Sequence, residues 1–274
     1  MNILIIGATG YIGSHVATAL AAAGHRITAL QRPGGRPPPA GYRCVVADLA
    51  APPSLTAAAT GFDRVIHIGP PIDDDTDRAG VDALLAAGSP LLHTTGAAVL
   101  GAGAGDEGST PDPHPVAAGR SQIERRVIAA GGWIIRPGLV YGNGGGLVHG
   151  LLTDKAAEYE TGIYIGAPGT RWPVVHVEDL AALYVAVVAH ALPGTIWHGV
   201  GETARLDAIA AALGGGTATS WSLADATTEL GPLADLFTRD QDVSSARTRT
   251  TLGWTPTHTS IVRDLTGSEH RGAR

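Results

Sequence analysis

The sequence predicts an α/β fold, a doubly wound parallel sheet with a small C-terminal lobe woven into it. One observation lies at the N-terminus. There the apolar run Asn2 to Ile6 meets Gly7-Ala-Thr-Gly10-Tyr-Ile-Gly13, and Ile12, Val16, Leu20 and Ala23 then recur at helical spacing as far as Gly24. The other is the alternation of short apolar runs with helical stretches through the first half of the chain, the pattern of parallel strands joined by crossover helices.

Composition narrows the class. The chain has 274 residues, of which 16% are charged, and a net charge of -6, values that point away from nucleic acid and from a membrane surface. Its one cysteine, Cys44, excludes a disulfide within the chain and fits a reducing, cytoplasmic setting. No apolar run approaches the ~18 residues of a spanning helix. The expected partner is a small-molecule substrate, with a homodimer allowed and neither nucleic acid nor membrane.

The first strand, Asn2 to Ile6, runs straight into the glycine turn, and the first helix spans Tyr11 to Gly24. Gly7 allows the tight turn, Gly10 lets the backbone approach a pyrophosphate, and Gly13 lets the helix sit close on the sheet. A diphosphate would lie on the free N–H groups at the helix start. Arg26 to Leu30 reads as the second strand. After it come Gln31-Arg32 and Arg36, where a carboxylate would stand if the ribose 2′-hydroxyl were being read. Arginine pairs with a 2′-phosphate, so NADP is favoured over NAD. The alternative is that both arginines are solvated loop charges.

Further strands are expected at Arg43 to Ala47, Phe62 to Ile68, Pro90 to Thr95 and Trp133 to Arg136, with helices from about Thr76 to Ala87 and from His114 to Gly131. Right-handed crossovers bring the loops after these strands to one edge, so Asp48, Gly69-Pro70 and Thr94-Thr95 should line one crevice with the glycine loop. The second half is less regular. A helix from Leu147 to Tyr159, a strand from Ile163 to Ile165, a helix from Leu180 to Ala191 and a strand from Thr195 to Val200 are expected, ahead of a frayed end from Gly267 to Arg274. The organisation is one unit over 1–274. Residues 1–140 form the dinucleotide-binding core, and 141–266 are mainly a substrate lobe with segments returning to the core.

Two clusters need weighing. Asp73-Asp-Asp-Thr-Asp77 lacks the ligand spacing of a calcium loop and stands where acids favour a helix start, so no metal is expected. Arg120 falls inside the apolar stripe of Val116, Ile123, Val127 and Ala130. Its partner would be either Glu124, four residues on, or a cofactor phosphate, ribose or substrate oxyanion.

Taken in order, Gly7-Ala-Thr-Gly-Tyr-Ile-Gly13, Ala47-Asp-Leu49, Val65-Ile-His-Ile68, Thr94-Thr-Gly-Ala-Ala-Val-Leu-Gly101, Arg136-Pro-Gly-Leu-Val-Tyr-Gly142, Val175-His-Val-Glu-Asp-Leu180 and Leu252-Gly-Trp254 span nearly the whole chain. The chain resembles the extended short-chain dehydrogenase/reductase superfamily, in its NAD(P)-dependent epimerase/dehydratase branch. The resemblance implies a Rossmann-like core and a small substrate lobe. It implies cofactor contacts at Gly7, Thr9, Gly10, Tyr11, Ile12 and Gly13, at Arg32, at Asp48 and Leu49 (adenine), at Gly69 and Pro70, at Thr94, at Arg120, and at Pro137, Gly138 and Leu139.

The family's active site uses a Ser or Thr after the fifth strand and a Tyr-x-x-x-Lys on the next helix. Here Val116 stands at the tyrosine position and Arg120 at the lysine position, while the Ser/Thr position falls on Thr95 or Gly96. Valine transfers no proton, and arginine stays charged at working pH, which suits it to hold an oxyanion rather than to act as an acid. Thr95, Arg120 and Tyr141 are the candidate catalytic residues. Arg171, His149 and His176 are the candidate substrate contacts, Arg171 as an anion contact; His176 also reads as a packed histidine before a helix. His67, His93 and His198 read as structural. The function expected is an NADP-dependent oxidoreductase on a small carbonyl or alcohol. The alternatives are a non-redox dehydratase, cyclase or lyase on the same scaffold, and a catalytically silent NADP-sensing binding protein.

Overall fold

The computed structural model describes residues 1–38, 41–69 and 72–267. Its strands, in chain order, are β1 (Asn2–Ile6), β2 (Arg26–Gln31), β3 (Arg43–Val46), β4 (Arg64–His67), β5 (Leu91–Thr94), β6 (Gly103–Gly105), β7 (Trp133–Pro137), β8 (Leu139–Tyr141), β9 (Gly162–Ile165), β10 (Arg171–His176), β11 (Thr195–Gly199), β12 (Glu202–Arg205), β13 (Ala218–Trp221) and β14 (Gln241–Val243). The main sheet has seven strands in the order β11-β7-β5-β4-β1-β2-β3, and every pairing within it is parallel. The order reverses between β1 and β4, and such a switch point opens a crevice beyond the carboxyl ends of the strands.

β1 shows why the sheet is buried on both faces. Ile3 and Ile5 point into one core, with Val16 and Leu20 of α1 (Tyr11–Ala22). Leu4 and Ile6, on the opposite face, enter a second core with Leu55 of α2 (Pro52–Ala59), Leu84 of α3 (Asp74–Ala86) and Val127 of α4 (Ala118–Ala129). Alternate side chains of one strand thus feed two cores, which is why the strand reads as a continuous apolar run. A third core, around Ile163, Trp172, Val174, Trp221 and Phe237, belongs to the second half. There β10 pairs with β8 in parallel and with β12 in antiparallel, while β9 pairs with β13. Two segments of that half return: β11 joins the main sheet beside β7, and β14 pairs with β6.

Several boundaries move for local reasons. α3 begins at Asp74 rather than Thr76, because the Asp73 carboxylate caps it, accepting from the N–H groups of Asp75 (3.1 Å) and Thr76 (2.8 Å). The stretch expected as one helix from His114 divides into a 3-10 turn, Pro115–Ala117, and α4. The stretch from Leu147 divides into a π-helical turn, Val148–Leu152, and α5 (Thr153–Tyr159), which stops at Glu160 with φ of 52°. β6, β8, β10, β12, β13 and β14 were not expected as strands; all but β10 are short, and all gain their partners from distant segments. The end from 268 onward lies outside the described residues.

Candidate active site

At the carboxyl ends of β1 and β4, the glycine turn leaves no room for side chains. Gly7 has φ of +91°, and a Cβ there would sit 2.9 Å from the Ile68 carbonyl oxygen; a Cβ on Gly13 would sit 2.0 Å from the Gly7 carbonyl oxygen. Gly10 is the N-cap of α1 and offers no side-chain cap. The backbone N–H groups of the first turn therefore face the crevice as an uncapped helix start, the arrangement that receives an anion.

Beside this turn lies a cavity of about 440 Å³. Tyr11 and Ile12 form its glycine-loop end, and Thr95, Arg120, Pro137, Gly138 and Leu139 line its floor. The rest of the wall is apolar apart from Gln241, with Val116 and Leu147 exposed at the rim and Trp172, Leu236 and Phe237 from the C-terminal lobe. Trp172 and Phe237 are stacked, with ring centroids 4.8 Å apart and planes 5° apart.

The floor rests on a buried ionic network. Arg136 on β7 pairs with Glu124 on α4 through Nε–Oε1 at 2.9 Å and Nη2–Oε2 at 2.6 Å, and both side chains are almost fully buried. The Thr95 hydroxyl donates to Glu124 Oε1 at 2.6 Å. Arg120 Nη1 donates to the Thr95 carbonyl oxygen at 2.8 Å. Glu124 is therefore committed to Arg136 and Thr95, and Arg120 makes no salt bridge among the described residues. Burial lowers the Arg120 pKa, and the nearby Asp77 and Glu124 charges oppose that shift. A guanidinium with N–H groups left over therefore stands at the cavity floor, still a cation at any working pH.

Behind it, His67 and His93 face each other with Nδ1···Nδ1 at 3.0 Å. Burial, then the Arg120 charge, lowers His67 to about 4, and His93 is held well below its ordinary value chiefly by burial. The His67 Nε2 has no hydrogen-bond partner among the described residues. A Cβ on Gly69 would lie 2.9 Å from it, so the ring and this glycine fit against each other.

Of the residues expected at the site, Tyr11, Ile12, Thr95, Arg120, Pro137, Gly138 and Leu139 share the cavity, with Gly7, Thr9, Gly10 and Gly13 in the turn beside it. Arg32 and Arg36 are exposed and make no ion pair among the described residues. Asp48 caps a turn, its Oδ1 accepting from Ala50 N–H at 3.0 Å. Leu49 departs from expectation: its side chain is buried in the core against Gly80, so only its backbone could meet a ligand. The Thr94 hydroxyl is bonded to the buried Tyr184. Pro70 lies outside the described residues.

Other expectations are corrected. Tyr141 does not reach the cavity: it is buried, and its hydroxyl donates to Asp264 at 3.0 Å. Burial, with the Asp264 charge, raises its pKa, so it is not set up as a proton donor. Arg171 is held by Asp240 (Nη2–Oδ2, 2.7 Å) and Asp242 (Nη1–Oδ2, 3.0 Å), which neutralise it and raise its pKa, so it offers no free charge to a substrate anion. His176 caps α6 (Val177–His190) and stacks on His258 at 3.6 Å, away from the cavity lining. His149 sits on the π-helical turn and is not among the lining residues. Sequence reasoning missed Trp172, Leu236, Phe237 and Gln241. The available signal for Trp172 was its place beside Arg171 in Arg171-Trp-Pro; the other three lie in a stretch without usable periodicity.

The comparisons agree with this architecture. Residues 3–113 match the model of the NAD dependent epimerase/dehydratase family. A 3-diazoavenalumate denitrifying reductase from Streptomyces is 30% identical over 312 residues, covering 98% of this chain and 100% of that protein. A ceramide reductase from Caulobacter vibrioides is 29% identical over 203 residues, covering 67% of this chain and 60% of that one. A human epimerase family protein, solved with NADPH, superposes with a TM-score of 0.75 at 20% identity, covering 97% of this chain and 98% of that one. The chain belongs to the NAD-dependent epimerase/dehydratase family of the extended short-chain dehydrogenase/reductase superfamily.

Proposed function

We propose that this protein is an NADP-dependent oxidoreductase acting on a small carbonyl or alcohol, with an active site rebuilt around Arg120. The observation that carries the reading is that the glycine-loop residues Tyr11 and Ile12, Arg120, and Pro137 to Leu139 wall a single cavity. The residues present fit a dinucleotide. The uncapped helix start and the glycine turn suit a diphosphate, and Arg32 and Arg36 in the loop after β2, which make no ion pair among the described residues, suit a 2′-phosphate. When bound, such a cofactor supplies or accepts a hydride. Two relatives whose names describe reductases, and a fold neighbour solved with NADPH, support the same reading.

The chain's own part in carbonyl reduction follows from the floor. The free N–H groups of Arg120 stabilise the oxyanion that forms as the carbonyl is reduced. Neither Val116 nor Thr95 delivers the proton, because valine has none and the Thr95 hydroxyl is spent on Glu124. Water entering at the rim supplies it. The same lack of a proton donor favours, as a second reading, a protein that binds the nucleotide without redox turnover.

Calorimetric titration with NADPH and NADH tests the cofactor assignment, on the wild type and on Arg32→Ala. NADPH is expected to bind more tightly, with the variant losing about tenfold, one charge-assisted contact to phosphate. Equal binding of both nucleotides by both proteins would remove NADP preference from the reading. Nicotinamide absorbance with small carbonyls then separates turnover from silent binding.

A further inference from the structure

We propose that the substrate body is a flat aromatic or conjugated carbonyl compound, its oxygen at Arg120 and its ring beside Trp172 and Phe237, rather than a sugar nucleotide. The proposal rests on the oxidoreductase reading for its chemistry and on the cavity wall for its substrate class. Apart from Thr95, Arg120 and Gln241, the side chains of the wall away from the glycine loop are hydrocarbon. Val116 and Leu147 are exposed at the rim, and Leu233 and Leu236 join the stacked Trp172–Phe237 pair further along. Large exposed apolar side chains around an opening mark a site that takes an apolar ligand.

The polar side chains on the wall are turned to the protein. The Tyr11 hydroxyl donates to the Gly142 carbonyl oxygen at 2.7 Å, and the Thr95 hydroxyl to Glu124. The Gln241 amide nitrogen donates to the Gly101 carbonyl oxygen. The Trp172 indole N–H donates to the Arg239 carbonyl oxygen at 3.1 Å, which fixes the plane of the ring, and with Phe237 stacked on one face only its margin meets the cavity. Arg120 alone among these keeps donors in hand, its one hydrogen bond among the described residues being to the Thr95 carbonyl oxygen. A sugar would bring many hydroxyl groups to a wall whose side chains offer few partners besides Arg120, and each unmet group opposes binding. A flat apolar body with one oxygen at one end satisfies the wall and the cation together. In the reaction the carbonyl carbon gains a hydride from a reduced nicotinamide, and the C=O π pair moves to oxygen beside Arg120. That oxygen then takes a proton from water, and the hydroxide formed leaves to bulk solvent. Reduction of the carbonyl to the alcohol thereby oxidises the nicotinamide by two electrons.

The test is equilibrium binding, read by calorimetry with and without nicotinamide, of cinnamyl alcohol, 1-hexanol and UDP-glucose. Cinnamyl alcohol is expected to bind about two- to tenfold more tightly than hexanol, the range an aromatic contact adds beyond its area. UDP-glucose is expected not to displace it. Phe237→Leu, which keeps an apolar side chain and removes the ring, should erase that preference, while Trp172→Phe, which keeps a flat ring, should preserve it. Equal binding of the two alcohols by the wild type, or displacement by UDP-glucose, overturns the proposal, and this wild-type comparison decides even if a variant fails to fold. Cinnamyl alcohol binding with no nicotinamide binding would sink the oxidoreductase reading and leave the aromatic slot standing. Nicotinamide binding with no aromatic preference would do the reverse.

Discussion

The two ends of the cavity are built by different means. The glycine-loop end is one contiguous turn, shaped by backbone and by the absence of side chains at Gly7 and Gly13. The far end is made of side chains, with Trp172 from β10 and Leu233, Leu236 and Phe237 from a short helix and its C-cap much later in the chain. Between them, Thr95 and Arg120 stand on the Glu124–Arg136 pair. A backbone site tolerates almost no change but needs few residues. A side-chain wall can be repainted without disturbing the fold, which is how one scaffold comes to serve different substrates.

The largest expected effect comes from breaking what both ends share. Glu124→Ala strands the buried Arg136 charge and should cost about 3–5 kcal/mol in urea unfolding, with loss of both nicotinamide and aromatic binding. If the loss is under about 1 kcal/mol, the two ends do not share this foundation. Next is acid sensitivity behind the glycine-loop end. His67 titrates at about 4 in the fold against 6.5 ordinarily, so the unfolded chain takes up that proton first as pH falls. The contribution to stability is full above pH 6.5 and is lost as pH falls through about 4. Unfolding free energy should fall by up to about 3 kcal/mol over that window, and His67→Asn should flatten the slope.

Gly13→Ala separates the two ends. Its Cβ would press on the Gly7 carbonyl, costing about 1–3 kcal/mol of stability and nicotinamide affinity, while cinnamyl alcohol still binds. Simultaneous loss of both ligands, in protein that remains folded by circular dichroism, would mean that the ends are not independent. The smallest effect belongs to Arg171→Ala. Asp240 and Asp242 already hold that charge in a solvent-screened, half-exposed cluster, so stability should barely change and KM for a carbonyl substrate should stay put. A tenfold rise in KM would restore Arg171 as a substrate contact.

Legibility in the sequence followed the same division. The glycine turn and the continuous apolar run of β1 depend on neighbours a few residues away, so the letters carry them, whereas the start of α3 at Asp74 under the Asp73 cap and the place of β11 in the seven-strand sheet came with the structure. Arg120 was legible as an anomaly, a charge in an apolar stripe, but its partner was not. Glu124 stands at the right helical spacing, yet it turns to Arg136 on β7 and leaves Arg120 free. Tyr141 and Arg171 misled for a related reason: Asp264, Asp240 and Asp242, which engage them, lie far along the chain.

The sequence by itself therefore determined the parallel doubly wound core, the dinucleotide-type turn at its first crossover, and the residue types Val116 and Arg120 on the stretch that reaches the cavity. Each is a statement about residue type and short-range spacing. Only the tertiary structure decided which polar groups still have hydrogen bonds to give and which faces of the C-terminal lobe close the cavity. Hydrogen-bond capacity is exhausted by whichever partner folding brings near, and no local pattern records that partner.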